Sequence, residues 1–425
     1  MTPIKIVHVG PRLERTGGPA GYLLQLRDAA TAHGETRHEV WFPPIAAPRS
    51  TGKGPSRLRR ELGRAKRAVF GKPHLDRPSR HEMERKQGFV AELYRKSKLA
   101  SSEQTMQNLL DGGAHRGADV LFVHDILSVD AVFEHRGDAE IWLMIHSPMP
   151  MGLYFGWNWG VPEAPWREIA SLPDVQAAID EEIESWSRVD RLVFPCEEAF
   201  EELVRVDERF ASVETPRELV LSGSNVRAEP PGARARHEWN LPEDEIVGLF
   251  LGNGLAYRGL DVLIESLSSL PSPRELPGVV AVAGPSPDSL PSHPRLRRLG
   301  RVNDVPGLLH CADFVVNTNQ FSLFDLSNIE GAGAGKPFLL HAVGGNETLR
   351  DLGAGCETFA ELTPTSVASA LTTMFTKSRD ELERLGRSSR ECYQLHLTAE
   401  RMWRRHLELY DRAANRYAGV EASGA

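Results

Sequence analysis

Short apolar runs punctuate the chain. Each is too brief for a helix and each is closed by a polar, glycine or proline break. Ile4–Gly10 (IKIVHVG), Glu39–Pro43 (EVWFP), Asp119–Asp125 (DVLFVHD), Ile141–Ser147 (IWLMIHS) and Arg191–Cys196 (RLVFPC) form the first series. Runs of this length, rich in β-branched residues, predict buried strands. Helical patterns such as AGYLLQLRDAATAHG and VQAAIDEEIESWSRV separate them. Alternating strand and helix over this distance predicts a parallel sheet covered on both faces. The pattern pauses over Leu221–Glu245, a stretch rich in proline, glycine and charge that reads as a linker. A second series follows: IVGLFLGNG, GVVAVAG, ADFVVNTN and KPFLLHAVGG. Near the end, Leu397, Met402, Leu407 and Tyr410 predict a long amphipathic helix, with Thr398 placed to cap it. The expected organisation is residues 1–225 as a first α/β domain, 226–395 as a second, and 396–425 as a helix packing back on the first. A basic insertion occupies about residues 49–100 of the first domain.

A chain of 425 residues exceeds one ordinary core, which fits two domains. Its net charge of −8 argues against a general nucleic-acid binder. Cys196, Cys311, Cys356 and Cys392 show no paired spacing, so reduced core cysteines are expected rather than a disulfide framework or zinc site. The chain enters a strand with no leader peptide, and no apolar run approaches the ~20 residues of a membrane span, so a cytoplasmic location is expected. One segment stands apart. From Arg49 to Lys72, Leu58, Leu62, Ala65 and Val69 share a helical face among Arg59, Arg60, Arg64, Lys66 and Arg67. This suits either peripheral contact with an anionic membrane through residues 55–70 or a solvated helix folded over the first domain.

Candidate chemistry gathers at the carboxyl ends of strands, where doubly wound sheets bind ligands. Gly17, Gly18 and Gly21 lie between the first strand and its helix, without the spacing of a dinucleotide fingerprint. Gly252, Gly254 and Gly259 flank Arg258 at the matching place in the second series, where a cation suits a phosphate or diphosphate. Asn319–Pro337 (NQFSLFDLSNIEGAGAGKP) reads as a loop, an N-cap at Asp325, and a helix of small residues with Glu330 one turn in. The aromatic stretch Ser147–Trp166 brings Tyr154, Trp157 and Trp159 behind His146, as a sugar- or ring-binding face or as loop packing. His124 and Asp125 read as structural rather than as a base.

On these residues the sequence resembles the retaining glycosyltransferases of nucleotide-sugar family 4, with the GT-B fold of two Rossmann-like domains facing a cleft. Gly252–Leu267 (GNGLAYRGLDVLIESL), Arg301–Asn319 (RVNDVPGLLHCADFVVNTN) and Ser322–Leu349 (SLFDLSNIEGAGAGKPFLLHAVGGNETL) follow the family's C-terminal motifs in order and spacing. The N-terminal half matches in outline: the Gly17–Gly18 loop, His146–Ser147 after a strand, and a polar domain end near Asn225. The resemblance implies a hexosyltransferase-type enzyme using a nucleotide diphosphate sugar as co-substrate, with no cofactor. It places Arg258 on the donor diphosphate and the Leu326 and Ser327 amides on the distal phosphate. Glu330 falls on the ribose hydroxyls, the Val302 backbone on the base edge, His146 on the transferred sugar, and Gly18 beneath the diphosphate or acceptor.

Three positions depart from that pattern. Asn253 stands where the family has an arginine, Ser322 where it has a glutamate, and Asp325 where it has a glycine. Arg12, Arg15 or Lys336 are candidates to replace the missing cation. Ser322 and Asp325 then imply an altered donor-sugar pocket. No DxD triplet occurs in the chain, so a metal-independent mechanism is expected, with cations and a helix dipole stabilising the leaving group. The acceptor expected is a small secondary metabolite or a glycan. A GT-B epimerase or hydrolase lacks a convincing set of carboxylates. A degenerate nucleotide-sugar-binding scaffold is the alternative from another class.

Overall fold

The computed structural model describes residues 3–13, 18–34, 37–46, 80–111, 113–160, 164–226 and 236–423. Gly17, Arg15 and the whole basic segment Arg49–Lys72, with the membrane contact expected of residues 55–70, lie outside them. The first domain runs β1 (Lys5–Val9), α1 (Gly18–His33), β2 (Glu39–Trp41), α2 (Arg80–Asp111), β3 (Val120–Val123), α3 (Val129–Phe133) and β4 (Glu140–Met144). It continues with α4 (Met151–Phe155), a π-helical turn Gly156–Gly160, α5 (Trp166–Ala170), α6 (Pro173–Arg188), β5 (Arg191–Phe194), α7 (Glu197–Val206) and β6 (Arg217–Leu219). The second domain has β7 (Val247–Leu251), α8 (Leu260–Ser266), β8 (Val279–Ala283), β9 (Leu296–Gly300), α9 (Val305–Cys311) and β10 (Phe314–Asn317). Then come α10 (Leu326–Gly333), β11 (Phe338–His341), α11 (Gly345–Asp351), β12 (Cys356–Phe359), α12 (Pro364–Thr376), α13 (Arg379–Cys392) and the last helix α14 (Ala399–Ser423).

Each domain holds a six-stranded sheet, ordered β2-β1-β3-β4-β5-β6 and β12-β11-β10-β7-β8-β9. Every strand pairing is parallel, as the alternation of strand and helix requires. Central strands such as β3 (VLFV) and β8 (VVAVA) are buried along their whole length, so they read as unbroken apolar runs. Three edge strands escaped the sequence reading. β6, β9 and β12 carry exposed Arg217, Arg298 and Thr358, because an edge strand needs fewer apolar side chains. Aspartates mark the amino edges of both sheets. Asp119, Asp190 and Asp313 accept the backbone N–H of Lys5, Ile141 and Val247, each at 2.7 Å. The opposite, carboxyl edges face each other across the interdomain cleft.

Thr398 Oγ1 accepts from Arg401 N at 3.2 Å, capping α14. That helix returns to the first domain and buries Met402, Trp403, Tyr410 and Ala413 against Ile6, Tyr22, Phe122 and Trp142. The chain therefore passes between the domains twice. The two passages touch where Ala399 N donates to Ser224 O at 3.2 Å and Ser224 N donates to Leu397 O at 3.0 Å.

The domains meet around the loop after β10. Phe321 is fully buried, edge-on to Trp157 and Trp166 at 5.9 and 5.2 Å, with the Arg205 guanidinium 4.1 Å above its ring. Arg205 also donates to Gln320 O at 2.7 Å, and Thr348 Oγ1 to Glu198 Oε2 at 2.6 Å. Truncating a buried phenylalanine costs about 3–5 kcal/mol. Phe321→Ala is thus expected to lower the melting temperature and increase the radius of gyration seen by small-angle scattering. An unchanged radius would show that Phe321 does not hold the domains together.

Candidate functional site

The second domain's half is built on β7, β10 and α10. After β7 the chain turns through Ala256–Arg258 into Gly259, whose φ is +62°. A Cβ there would stand 2.2 Å from Thr318 O, so only glycine lets this turn press against the end of β10. Thr318 Oγ1 donates to Arg258 O at 3.0 Å and locks the contact. Arg258 Nη1 then donates to Asp325 Oδ1 at 3.0 Å and Asn319 Oδ1 at 3.4 Å. Both side chains of the ion pair are only about 15% exposed. Burial alone would lower the arginine's pKa; the Asp325 carboxylate outweighs it and the guanidinium stays charged. Its Nε–H is sealed from solvent and has no acceptor.

Asp325 occupies the N-cap position of α10, but its side chain makes no capping bond, contrary to expectation. The carboxylate turns to Arg258 and also accepts from Asn317 Nδ2 at 3.2 Å and Asn319 Nδ2 at 2.5 Å. The amides of Asn328 and Ile329 bond to the Asp325 carbonyl, while those of Leu326 and Ser327 have no acceptor among the described residues. Glu330 is half-buried on the same helix with no side-chain partner among the described residues, and desolvation pushes its carboxyl up to about 7.

Ser322 is placed differently from the sequence expectation. It is fully buried, and its hydroxyl donates to Asn346 Oδ1 at 3.1 Å, so it presents nothing to the cleft. Asn346 also ties Asn328 and the His341 carbonyl into one buried amide network. Asn253 is exposed on the loop after β7, and Val302 lies half-buried after β9. Lys336 is a correction. It precedes β11 and donates to His310 O at 3.2 Å beside Asp313, on the amino edge away from the cleft, so it cannot replace a cleft cation.

In the first domain, Gly18 opens α1 with φ +73° and nothing within 4 Å of where a Cβ would stand. Arg12 is exposed after β1, its Nε donating to Asn108 Oδ1 at 3.2 Å. His146 follows β4, half-buried, with burial pushing its imidazole down to about 3. It is therefore neutral near pH 7 and suited to hydrogen bonding rather than to carrying charge. Its Nε2 meets His124 Nδ1 at 2.9 Å, which makes His124 a fully buried structural group, as expected.

The aromatic stretch packs rather than forming an open acceptor face. Trp157 is 3% exposed against Phe321, while Tyr154 lies against Trp159 at 5.1 Å and against Tyr257 of the other domain at 6.1 Å. Apolar rings at a domain junction gain more from mutual burial than from waiting in water. Among the described residues no cluster of His, Cys, Asp or Glu is arranged to hold a metal ion, and no helix is long and apolar enough to cross a membrane.

Two parallel sheets with their carboxyl edges opposed, joined by a crossing last helix, define the architecture. The fold is GT-B. Residues 245–377 match the family described as "Glycosyl transferases group 1", and this match contains Arg258, Asp325 and Glu330. A D-inositol 3-phosphate glycosyltransferase of Streptosporangium roseum is 27% identical over 275 residues, 56% of this chain and 62% of that relative. The match thus spans less than two thirds of the relative's length. Sucrose-phosphate synthase from Thermosynechococcus elongatus superposes with a TM-score of 0.64 at 18% identity, covering 98% of this chain and 100% of that one. Anabaena Alr3699/HepE, solved in complex with UDP-glucose, superposes with a TM-score of 0.60 at 12% identity, covering 96% of this GT-B chain and 100% of that one.

Proposed function

We propose that this GT-B protein transfers a sugar from a nucleotide diphosphate donor to an acceptor with retention at the anomeric carbon and without a divalent ion. The observation that carries the reading is the pairing, at one cleft edge, of two unbonded amides with a charged guanidinium. Leu326 N–H and Ser327 N–H open α10, and the charged Arg258 guanidinium lies beside them, paired with Asp325 at the helix start. A helix N-terminus with free amides favours an anion, and an adjacent guanidinium strengthens the preference. A diphosphate departing there is stabilised as its charge grows, which is where catalysis gains most. The bond from the anomeric carbon to the diphosphate breaks, the acceptor oxygen bonds to the same face, and the leaving phosphate takes the acceptor's proton. Glu330 is suited to accept from ribose hydroxyls and His146 to contact the sugar. The acceptor proposed is a small metabolite or a glycan.

A screen of nucleoside diphosphates by thermal shift tests this reading, since a ligand that binds only the native state raises its melting temperature. At least one nucleoside diphosphate is expected to stabilise the protein, with Glu330→Gln weakening the effect. No stabilisation by any of them would overturn the proposal. A second reading, a nucleotide-sugar-binding scaffold without turnover, draws on the buried Ser322 hydroxyl and the neutralised Arg258. Stabilisation by a nucleotide sugar, with no nucleoside diphosphate released over broad acceptor panels, would favour it.

A further inference from the structure

Three neighbouring strands of the first sheet carry a histidine at or just beyond their carboxyl ends: His8 in β1, His124 after β3 and His146 after β4. The last helix adds His406 and Tyr410, and α1 adds Tyr22. All six are joined in one unbranched chain of hydrogen bonds. His146 Nε2 meets His124 Nδ1 at 2.9 Å, and His124 Nε2 meets His8 Nδ1 at 2.8 Å. His8 Nε2 meets Tyr410 Oη at 2.9 Å, Tyr410 Oη meets His406 Nδ1 at 3.1 Å, and His406 Nε2 meets Tyr22 Oη at 2.8 Å. His8, His124 and His406 are fully buried, and burial pushes the pKa of every imidazole in the chain down, so each is neutral.

A neutral imidazole has one N–H and one bare nitrogen. The three imidazoles His146, His124 and His8 must therefore point one way, and Tyr410 can accept from both of its neighbours only by leaving its own buried proton unpaired; apart from that costly case the chain has two arrangements. In one, every imidazole donates from Nε2 and the last proton, on Tyr22 Oη, has no acceptor among the described residues. A buried donor left unpaired costs about 1–3 kcal/mol. In the other, Tyr22 donates to His406 and every imidazole carries its proton on Nδ1, so that every buried proton has an acceptor. At the cleft end, His146 Nδ1 has no partner among the described residues and is not among the sealed polar atoms.

We infer that Tyr22, His406, Tyr410, His8 and His124 are positioning residues, forming a one-way relay that fixes His146 as an Nδ1–H donor to the interdomain cleft. A ligand atom that meets it there must be an acceptor, such as a sugar hydroxyl or ring oxygen. The tautomer stands whatever the ligand; only its use on a sugar rests on the function proposed above.

The test is nitrogen-15 NMR of the histidine-labelled full chain, with signals assigned by single substitutions. All four imidazoles are expected as the Nδ1–H form. An Nε2–H form at His124 or His146 overturns the inference. In His8→Asn, the amide can either donate to His124 or accept from it, so His124 and His146 are expected to become mixtures of tautomers. A uniform Nδ1–H signal from His146 in that variant would also overturn the relay. The same variant is expected to weaken nucleotide-sugar binding about twofold, the cost of drawing the Nδ1–H form of His146 from a roughly even mixture. Tautomers as expected with unchanged binding would support the relay and sink only the sugar contact. If His8→Asn does not fold, the wild-type spectrum alone decides.

Discussion

Asp325→Asn is expected to melt below the wild-type protein when free, and to gain more from the nucleoside diphosphate that stabilises the wild type best. Arg258 and Asp325 form a nearly buried ion pair, each about 15% exposed. Removing one partner of such a pair leaves the other charge uncompensated and costs about 3–5 kcal/mol. The same carboxylate stands at the N-terminus of α10, where it opposes an incoming phosphate. A unit charge ~4 Å away contributes roughly 4 kcal/mol at an effective dielectric near 20. Removing it unmasks the guanidinium, so a nucleoside diphosphate restores the charge balance that the free variant lacks. Arg258→Leu is expected to do the reverse. It destabilises the free protein comparably, but the same nucleotide then gives little or no gain and turnover falls about 10²–10³-fold. Melting curves of the three proteins with and without that nucleotide decide the matter. A gain in Asp325→Asn no larger than in wild type would show that the phosphate does not approach this pair.

Glu330 sets the second large effect, and it depends on pH. Burial pushes its carboxyl up to about 7 in the folded protein, from about 4.5 for an ordinary solvated glutamate. The native state therefore holds the proton more tightly than the unfolded chain. Stability is lost as pH rises from about 4.5 to about 7, and the full penalty remains above that. Glu330→Gln removes the ionisation and is expected to be the more stable protein at pH 8, by about 2 kcal/mol in urea titrations, with little difference at pH 4.5. Ligand binding runs the opposite way. Only the ionised carboxylate can accept from two ribose hydroxyls. Wild-type affinity for a nucleotide sugar is therefore expected to rise between pH 6 and 8 and to be flat in the glutamine variant. A nucleotide sugar is the right probe because its diphosphate, substituted at both ends, does not titrate in that range. At pH 8 the variant should bind roughly tenfold or more weakly, as for a lost charged hydrogen bond. A variant neither stabilised nor impaired at pH 8 would mean that Glu330 is solvated and away from the ligand.

Much of the architecture was legible because parallel sheets bury central strands on both faces. Val120–Val123 and Val279–Ala283 could hardly be anything else once their length and branching were noted. Of the four edge strands only Glu39–Trp41 was legible; Arg217–Leu219, for one, has a polar composition that equally suits a loop. The site divided along a similar line. Arg258, Asp325, Leu326 and Glu330 gather within one cleft edge because strand–loop–helix order fixes where a loop falls. The direction of each side chain within the loop was hidden. Ser322 turns inward because Asn346, 24 positions later, offers it an acceptor, and nothing local to Ser322 signals that partner. The histidine chain left a trace in the sequence: IVHVG, FVHD and MIHS all place a histidine near a strand's end. What closes it, Tyr410 to His8, spans 402 positions and needs the last helix to return.

That return has a mechanical consequence. Because two chain segments cross between the domains side by side, clipped at Ser224 and Thr398, relative motion has a preferred axis. A single tether would allow one domain to swivel freely about the other. Two segments lying together resist twisting more than bending, so opening of the cleft is expected to follow a hinge line through Ser224 and Thr398, as a door turns on its pins.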